Sequence, residues 1–421
     1  MSAARPQVVV VGGGFAGLWA TRAMAGDAVD ITLVDRANHH LFQPLLYQVA
    51  TAGLSAPDIA APLRHILRRQ KNVEVRMVTV ERIDAAGKRV VLDDGSSIDF
   101  DLLLLASGAT HAYFGNDHWA AHAPGLKTLD DALDLRRKLL LAFERAEATH
   151  DPAEREAWLS FAIVGGGPTG VELAGTLAEI ARHTLKDEFR NIDPARARVR
   201  LIEAGPRVLS SFPEALSEKA RRQLEALGVE VSTGTPVADI TADGYRLGDT
   251  FVPAKTVVWA AGVAASPLGR TLGVALDRAG RVPVRPDLSV PGHPDIFVAG
   301  DLAAITQDDG SPVPGVAPAA KQMGRHVAQA IRARLAGRPT TPFGYRDYGN
   351  LATIGRMAAV VDFGRLKLSG LLAWWFWLVA HVFFLIGFRN RLVVLLNWCW
   401  AYWSYQRAAR IILGEDRSDT K

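Results

Sequence analysis

One strand–turn–helix unit occurs twice in this 421-residue chain, and this repeat restricts the fold more than any other feature. In the first copy, the β-branched run Gln7–Val11 leads into the turn Gly12-Gly-Gly-Phe-Ala-Gly17, which a helix-compatible stretch follows. A second apolar run, Ile31–Val34, then ends at Asp35. This order is typical of a βαβ unit with a tight glycine turn after its first strand.

The second copy lies about 150 residues further along the chain. Phe161–Val164 leads into Gly165-Gly-Gly-Pro-Thr-Gly170, a helical pattern follows, and Val199–Ile202 ends at Glu203. Because one such unit is the core of one parallel sheet, two copies predict two doubly wound α/β domains.

The glycines and the two acids have a shared chemistry. In a GxGxxG turn the first glycine permits the turn, the second lets the backbone approach a pyrophosphate, and the third lets helix and strand pack closely. The helix N-terminus presents unpaired N–H groups to that phosphate. An acid at the end of the second strand, here Asp35 or Glu203, takes the ribose hydroxyls. We therefore expect two dinucleotide sites; the alternative, two turns without a ligand, leaves both acids unexplained.

Glu203 also bears on which nicotinamide cofactor binds. A carboxylate repels the 2′-phosphate of NADPH, and the three residues that follow, Ala204-Gly-Pro206, carry no positive charge. Arg207, four positions on, weakens this inference. The sequence favours NADH over NADPH.

Further elements predict that one domain is inserted in the other. Strands are expected at residues 73–80, 89–92, 100–105, 254–261 and 295–299, with a crossover helix over Thr128–Ala148. The order indicates a first domain of residues 1–115 and 286–345, interrupted by a second of residues 116–285. A linker near residues 337–342 precedes a C-terminal region, residues 346–421.

Cysteine content limits the redox chemistry. Cys399 is the only cysteine, which excludes an intrachain disulfide, a CxxC pair and a cysteine-rich zinc or iron–sulfur site. The histidines do not cluster with carboxylates, so no metal site is predicted. A net charge of +4 does not indicate nucleic acid. Redox chemistry must therefore use a bound organic cofactor.

Three further segments resemble the two-dinucleotide-binding flavoprotein superfamily: Leu103–Gly108, Val257–Gly262 and Ile296–Asp301. The resemblance implies two Rossmann-like domains, FAD bound non-covalently in the first and NADH in the second. It assigns the ribityl chain of FAD to Asp301. Subfamilies that need a reactive thiol beside the flavin are excluded, because Cys399 lies in the tail, where we expect it to be buried and structural.

More specific segments resemble the type II NADH:quinone oxidoreductases, which are single-subunit respiratory enzymes that do not pump protons. These segments are His40–Gln48, Gly165–Ala174, Trp259–Val263 and Gly315–Gln322. The resemblance covers nearly the whole chain. It implies the FAD-binding residues Gly12, Gly13, Gly14, Phe15, Ala16, Gly17, Asp35, Arg36, Val80, Gly108, Asp301 and Ala317. It implies the NADH-binding residues Gly165, Gly167, Gly170, Glu203 and Gly262.

The same resemblance assigns roles around the quinone. Glu172 matches a glutamate proposed to shuttle protons between the NADH and quinone sites; the alternative is an acid on the first helical turn that interacts with the helix dipole. The family's Ala-Gln-x-Ala-x-Gln signature is Ala-Pro-Ala-Ala-Lys-Gln here, over residues 317–322. The quinone-binding candidates are Gln48, Pro318, Lys321 and Gln322. Lys321 is equally well explained as part of a solvated helix face.

The tail differs in kind from the rest of the chain. Residues 371–388 are apolar without formal charge unless His381 is protonated, and Leu392–Leu413 forms a second apolar stretch interrupted by polar residues. Six of the ten tryptophans fall between Arg365 and Leu413. Three interpretations compete: interfacial attachment to a bilayer surface, a spanning hairpin, and a buried dimer interface between two copies. His381 is expected to be packed or interfacial.

These features predict an enzyme that passes hydride from NADH to FAD and then two electrons to a membrane quinone. It is expected at the cytoplasmic face of the inner membrane, because Gln7–Val11 leaves no room for a cleavable signal peptide. One alternative is a soluble NADH-dependent flavoprotein reductase with a protein acceptor. Another is a non-enzymatic flavoprotein that recruits a partner when NADH binds. The apolar tail distinguishes both from the preferred interpretation.

Overall fold

A computed structural model describes residues 5–307, 309–385, 388–404, 407 and 409–412. The sequence predictions that fall on residues 1–4, 308, 386–387, 405–406, 408 and 413–421 lie outside the described residues. The helices are, in chain order, α1 (Phe15–Ala23), α2 (Leu46–Ala50), α3 (Ala56–Ile59), α4 (Leu63–Leu67), α5 (Leu129–Ala148), α6 (Pro152–Trp158), α7 (Pro168–Glu179), α8 (Glu214–Ala226), α9 (Ala317–Leu335), α10 (Leu371–Phe384) and α11 (Phe388–Ser404).

The strands are mostly short. They are β1 (Gln7–Val11), β2 (Asp30–Asp35), β3 (His39–Leu41), β4 (Ala60–Pro62), β5 (Val73–Met77), β6 (Val80–Asp84), β7 (Arg89–Leu92), β8 (Ser97–Asp99), β9 (Leu102–Leu105), β10 (Ala109–His111), β11 (Ser160–Val164), β12 (Arg198–Glu203), β13 (Val229–Thr233), β14 (Val237–Thr241), β15 (Gly244–Leu247), β16 (Thr250–Pro253), β17 (Thr256–Trp259), β18 (Val263–Ala265), β19 (Val282–Pro283), β20 (Ser289–Val290), β21 (His293–Val298), β22 (Ala303–Ala304), β23 (Asn350–Gly355), β24 (Ala358–Asp362) and β25 (Lys367–Ser369).

The chain divides into two compact units. Unit 1 contains residues up to 41, residues 60–110 and residues 263–348, and unit 2 contains residues 42–59, 111–262 and 349 onwards. The predicted domains have other boundaries: the segment 42–59 and the C-terminal region both group with the second glycine turn.

Unit 1 is built on a six-stranded sheet with the order β20-β21-β9-β1-β2-β5. All neighbours are parallel except β20 and β21. The central strand β9 is Leu-Leu-Leu-Leu and buried along its whole length, as expected for a strand covered on both faces. α1 packs closely on α9. The lack of a side chain at Gly324 permits this contact, since a Cβ there would collide with the Ala16 carbonyl.

Unit 2 contains a four-stranded parallel sheet with the order β13-β12-β11-β17 and two antiparallel three-stranded sheets, β14-β15-β16 and β23-β24-β25. α7 follows the second glycine turn and packs on β23 as well as on β12. The helix can come close to β23 because Gly175 has no side chain, and a Cβ there would collide with the Ile354 carbonyl. Two parallel α/β sheets confirm the predicted fold class.

The C-terminal helices belong to unit 2. α10 packs on β24 and contacts α11, and α11 contacts α3. Within the described ranges, neither α10, α11 nor any other helix has the combined length and apolarity that a bilayer crossing requires.

Candidate functional site

The first glycine turn joins β1 to α1 in unit 1. Gly12 has φ +105°, which L side chains rarely adopt, and a Cβ there would collide with the Ala106 carbonyl. A Cβ on Gly17 would collide with the carbonyl of Gly12. A Cβ on Gly14, by contrast, would meet nothing within 4 Å, and α1 begins there without a side-chain cap. The N-terminus of α1 is therefore uncapped by side chains, and there is room beside Gly14 for a ligand.

The second turn, between β11 and α7 in unit 2, repeats this geometry. Gly165 has φ +114° and lies against the backbone of Ala260, and a Cβ on Gly170 would collide with the Gly165 carbonyl. Gly167 faces open space, and α7 also lacks a side-chain cap. Each turn thus offers an anion an open N-terminal cradle made of backbone.

The two acids have the same environment. Asp35 accepts hydrogen bonds from the backbone N–H of Gly13 at 2.5 Å and of Ala37 at 2.7 Å. Glu203 accepts them from Gly166 at 2.6 Å and Gly205 at 2.7 Å. Each carboxylate therefore ties its strand end to its glycine turn. This contact accounts for both acids without a ligand, contrary to our expectation from the sequence, and binding of ribose by them stays a prediction.

Four buried polar side-chain atoms of unit 1 lack a hydrogen-bond partner within the described part of the chain: the Ser107 hydroxyl, His40 Nε2, His326 Nε2 and Arg334 Nε. The first two lie at the glycine turn. His40 Nδ1 donates to the Gly13 carbonyl at 2.9 Å, and burial lowers the pKa of His40 to about 4. The ring is thus neutral, and Nε2 is an acceptor. Ser107 adjoins Gly12. Both atoms fit a polar cofactor held at this turn, because such a ligand would supply the missing partners.

The other predicted FAD-binding residues all lie in unit 1. Gly108, with φ +70°, follows β9, and Asp301 follows β21 in a short turn. A Cβ on Gly315 would lie 3.4 Å from Asp301 Oδ1, so Asp301 faces the segment before α9. The remaining three are Arg36, exposed after β2; Val80, the first residue of β6; and Ala317, the first residue of α9.

Arg207 does not extend toward the second turn as a counter-charge. Its guanidinium donates to the Phe212 carbonyl at 2.6 Å and to the Ser210 carbonyl at 3.0 Å. These contacts hold Arg207 in its own loop. Arg207 therefore no longer weakens the inference that Glu203 favours NADH over NADPH, which stays a prediction. Gly262 lies against the Phe114 ring, which a Cβ would approach to 2.5 Å.

Three of the predicted quinone residues lie on α9 in unit 1. Pro318 is in the first turn, as predicted. Lys321 lies 4.6 Å from the Trp19 ring centroid, and burial, with Arg325 and Arg22 nearby, lowers its pKa to about 8. Lys321 is therefore not part of a fully solvated face. Both amide atoms of Gln322 pair with the main chain of Arg346, at 2.9 Å each.

The fourth, Gln48, lies in unit 2 and lines a cavity of about 90 Å³. We call it the α7 cavity; its walls come from α2, α7, the end of β23, α10 and α11, and it also contacts Arg407. Gln48 Nε2 donates to the Tyr47 hydroxyl at 3.0 Å, and Gln48 Oε1 accepts from Trp398 Nε1 at 2.7 Å. One glutamine thus connects α2 with α11.

Glu172 lies on the α7 face that packs on β23. It is 8% exposed, and burial raises its pKa well above the ordinary value, although the Thr353 N–H opposes this by donating at 3.5 Å. α7 begins at Pro168, so Glu172 lies in the second turn, not the first. The dipole explanation is therefore weakened, because the carboxylate accepts from the Thr353 amide of a strand and lies beyond the first turn of the helix.

Seven residues further on, Glu179 forms a buried ion pair with Arg407 at 3.4 Å. Each side chain is 13% exposed. The backbone N–H of Arg356 also donates to Glu179, and Arg407 donates to the Thr51 carbonyl at 3.1 Å. The α7 cavity is also lined by residues that the sequence did not single out, namely Tyr47, Glu179, Arg356 and Trp398. The available signal was the spacing of Glu172 and Glu179, two turns apart on one helix face.

Two predictions about the tail have different outcomes. Cys399 is exposed, so the prediction of a buried cysteine is wrong. α11 turns Val394 and Trp398 inward, and the next residue lies about 100° around the helix from Trp398. His381 is packed, as predicted: its Nδ1 donates to the Trp377 carbonyl at 2.8 Å, and burial lowers its pKa to about 4. Over the ranges that the structure describes, no three His, Cys, Asp or Glu side chains group as metal ligands.

Comparison with known proteins gives two family matches. Residues 6–324 match the pyridine nucleotide-disulphide oxidoreductase family, and residues 348–403 match the NDH2 C-terminal domain.

Individual relatives span almost the whole chain. It is 47% identical over 418 residues to the type II NADH:quinone oxidoreductase Ndh of Mycobacterium tuberculosis, covering 96% of this chain and 89% of that protein. It is 30% identical to the type II NADH:quinone oxidoreductase of Staphylococcus haemolyticus, covering 87% of this chain and 92% of that protein. The solved structure of NDH2 from Plasmodium falciparum in complex with NADH has the same fold, with a TM-score of 0.88 over 98% of this chain and all of that one, at 19% identity.

Proposed function

The chain belongs to the family of type II NADH:quinone oxidoreductases. On this basis we propose which of its residues bind FAD, NADH and the quinone. The protein is an FAD-dependent oxidoreductase that transfers electrons from NADH to a quinone. The competing prediction, a soluble reductase for a protein acceptor, is not favoured by these relatives.

The observation that carries the assignment is the pair of open glycine cradles, one in each unit. Bound FAD would supply the two-electron chemistry that no side chain of this protein can perform. Residues 12–17 would hold its pyrophosphate, with Asp35 and Arg36 at the adenosine and Val80 near the adenine. Gly108, Asp301 and Ala317 would line the rest of the cofactor. The open space beside Gly14 and the unpartnered atoms of Ser107 and His40 support this placement.

NADH would dock at the second cradle. Gly165, Gly167 and Gly170 would form the phosphate site, Glu203 would accept the ribose hydroxyls, and Gly262 would lie beside the nicotinamide half. Both oxygens of the Glu203 carboxylate accept backbone hydrogen bonds at the turn, and Arg207 is engaged in its own loop. A 2′-phosphate there would meet a like charge, which costs several kcal/mol. The site therefore prefers NADH.

The quinone would be served by Glu172 and by the four residues Gln48, Pro318, Lys321 and Gln322. Burial raises the pKa of Glu172 well above its ordinary value and so favours the protonated form, which could donate a proton toward the α7 cavity by way of its Thr353 wall. Gln48 would act within the α7 cavity. Gln322 would act indirectly, since both of its amide atoms hold the Arg346 main chain.

The partner of the C-terminal helices is proposed to be a bilayer surface. α10 exposes Leu372, Trp375, Val379 and Phe383 by 53–65%, while it buries Trp374 and Trp377 against unit 2. Exposed Arg365 and Lys367 precede this helix and suit anionic headgroups. We propose peripheral attachment at the cytoplasmic face of the inner membrane. A second copy of the chain is the alternative occupant of this face.

The domain assignment follows the same logic. FAD would occupy a domain of residues 1–115 and 286–345, NADH one of residues 116–285, and membrane attachment would belong to residues 346–421.

Purification of the full chain tests the function directly. The yellow protein should release FAD on denaturation, oxidise NADH with a short-chain quinone, and use NADPH poorly. A colourless protein would contradict the assignment, and so would one whose chromophore stays oxidised when NADH is added without air.

A further inference from the structure

The wall of the α7 cavity includes an acid, Glu179, that the activity has not yet explained. Glu172, Thr176 and Glu179 are spaced by four and three residues, so all three lie on one face of α7. Thr176 and Thr353 line the cavity beside Glu179, and the backbone N–H of Thr353 donates to Glu172. Glu172 therefore lies behind the cavity wall, about 10 Å along the helix axis from Glu179.

The proton balance of quinone reduction requires a route for one proton from solvent to the quinone site. Reduction of a quinone to a quinol adds two electrons and forms two O–H bonds. The C–H bond of NADH that breaks supplies both electrons and one proton as hydride, so the second proton must come from water in each turnover. Glu172 is only 8% exposed and cannot collect that proton from bulk solvent without an intermediate group.

The end of α7 leads from the cavity to the surface. Directly after Glu179 the helix changes into a π-helical turn, Ile180–Thr184. Single π turns within helices are frequent at functional sites. Thr184 lines the cavity, whereas His183 in the same turn is exposed and interacts electrostatically with Glu179. Histidine is the side chain that most readily exchanges protons near neutral pH.

We propose that Glu179 is the intermediate proton carrier of the quinone reaction, taking protons from solvent at His183 and passing them through cavity water to Glu172. This inference rests on the proposed role of Glu172. The transfer is a proton relay without net change: Glu179 gives one proton toward Glu172 and recovers one from water.

Arg407 and the Arg356 backbone hold the carrier in place. They orient the two oxygens of Glu179, and Arg407 is itself fixed by the Thr51 carbonyl. Burial raises the pKa of Glu179, while Arg407 opposes the rise. Arg407 thus limits the rise that burial causes, and the contacts with Arg407 and Arg356 fix the geometry that a relay group needs. Tyr402 also faces Glu179, and Tyr47 lies near both Glu172 and Arg407.

The test compares Glu179→Gln with Glu188→Gln in the full-length holoenzyme. Glu188 is an exposed acid just beyond the same turn and pairs with Arg410 at 2.6 Å, so it controls for loss of a tail ion pair. Each variant is assayed for NADH oxidation with a short-chain quinone and with ferricyanide, an acceptor that takes electrons without protons. Rates are measured from pH 5 to 9 and in heavy water.

Glu179→Gln should lower the quinone rate at least about tenfold without changing KM. It should enlarge the solvent isotope effect and leave the ferricyanide rate and the flavin content as in the wild type. Glu179→Asp should recover part of the rate, and Glu188→Gln should behave as the wild type. His183→Gln should slow quinone turnover less, most visibly at low buffer concentration.

Three outcomes would overturn the relay: a normal quinone rate in Glu179→Gln, an equal loss with both acceptors, or an equal loss in Glu188→Gln. Failure of the underlying function is recognised separately. It would appear as a wild-type protein that cannot reduce quinone with NADH, or as a Glu172→Gln variant with undiminished turnover.

Discussion

The glycine turns and the α7 cavity are built on different principles. The two turns are made of backbone: a positive φ at Gly12 and Gly165, carbonyl contacts that leave no room for a Cβ, and an acid bonded to the turn. The cavity is made of side chains from five separate elements and Arg407. Backbone geometry can be copied, and the chain contains it twice. The cavity is assembled from distant segments, and its chemistry depends on individual side chains.

The largest expected effect concerns the turns themselves. Gly12→Val should abolish activity and flavin binding, because a side chain would meet the Ala106 carbonyl in a backbone conformation that alone costs about 1–3 kcal/mol. Gly165→Val is the matched change in unit 2 and should keep the flavin while losing reduction by NADH. Flavin-to-protein ratio and anaerobic bleaching by NADH distinguish the two. If both variants lose flavin equally, the turns do not serve separate ligands.

A change in the cavity should leave both ligands bound. Glu172→Gln is expected to reduce quinone turnover about a hundredfold at constant flavin content and constant ferricyanide rate. An equal loss with both acceptors would place the defect outside proton transfer.

The same variant has a consequence for stability. Because the folded state raises the pKa of Glu172, its contribution to stability is fully present below the unfolded pKa of about 4.5 and is lost as pH rises toward the folded value. The melting temperature of Glu172→Gln should therefore match the wild type near pH 4.5 and exceed it at pH 8–9, by on the order of 2 °C or more. A gap that stays constant over this range would show that Glu172 is ionised in the folded protein.

Glu203→Ala tests the acid that closes the second turn. We expect kcat/KM for NADPH to rise relative to NADH by about tenfold or more, since the like charge is removed. Asp35→Ala is the control and should leave this ratio unchanged. An unchanged ratio in Glu203→Ala would show that Glu203 only stabilises the turn through its backbone hydrogen bonds and does not select the cofactor.

The smallest effect concerns the surface. Cys399 is exposed on α11, so it should react with a maleimide in the native protein, and Cys399→Ser should retain full activity. Vesicles containing anionic lipid should slow the labelling if this face lies on a bilayer. Unchanged labelling in vesicles, together with concentration-dependent dimers in solution, would favour the second copy instead.

Local signals predicted the fold well. The β-branched runs gave β1 and β11, and Thr128 caps a helix, Leu129–Ala148, that differs by one residue from the prediction. The predicted strand over residues 73–80 is instead β5 and the start of β6, because β5 pairs with β2 whereas β6 pairs with β7. Periodicity does not register which strand a segment pairs with, so it could not place this break.

The site divides in the same way. Glycine positions and strand-end acids are local, and the structure places them as the motif predicts. The ion pair of Glu179 with Arg407 joins residues 228 positions apart, and the hydrogen bond of Gln48 to Trp398 joins residues 350 apart. Cys399 shows the opposite error: it is flanked by tryptophans in sequence but is exposed, because adjacent helix residues point about 100° apart and it does not share the inward direction of Trp398.

The division of the chain also has a consequence for biosynthesis. The polypeptide changes unit after residues 41, 59, 110, 262 and 348, so unit 1 receives its last strands and α9 only when most of the protein has been translated. On the ribosome, the nascent first turn must wait for β21 and α9 before its sheet and helix layer are complete. We therefore expect the prosthetic group to be retained only once α9 has been synthesised, and chains truncated before β21 to bind it poorly.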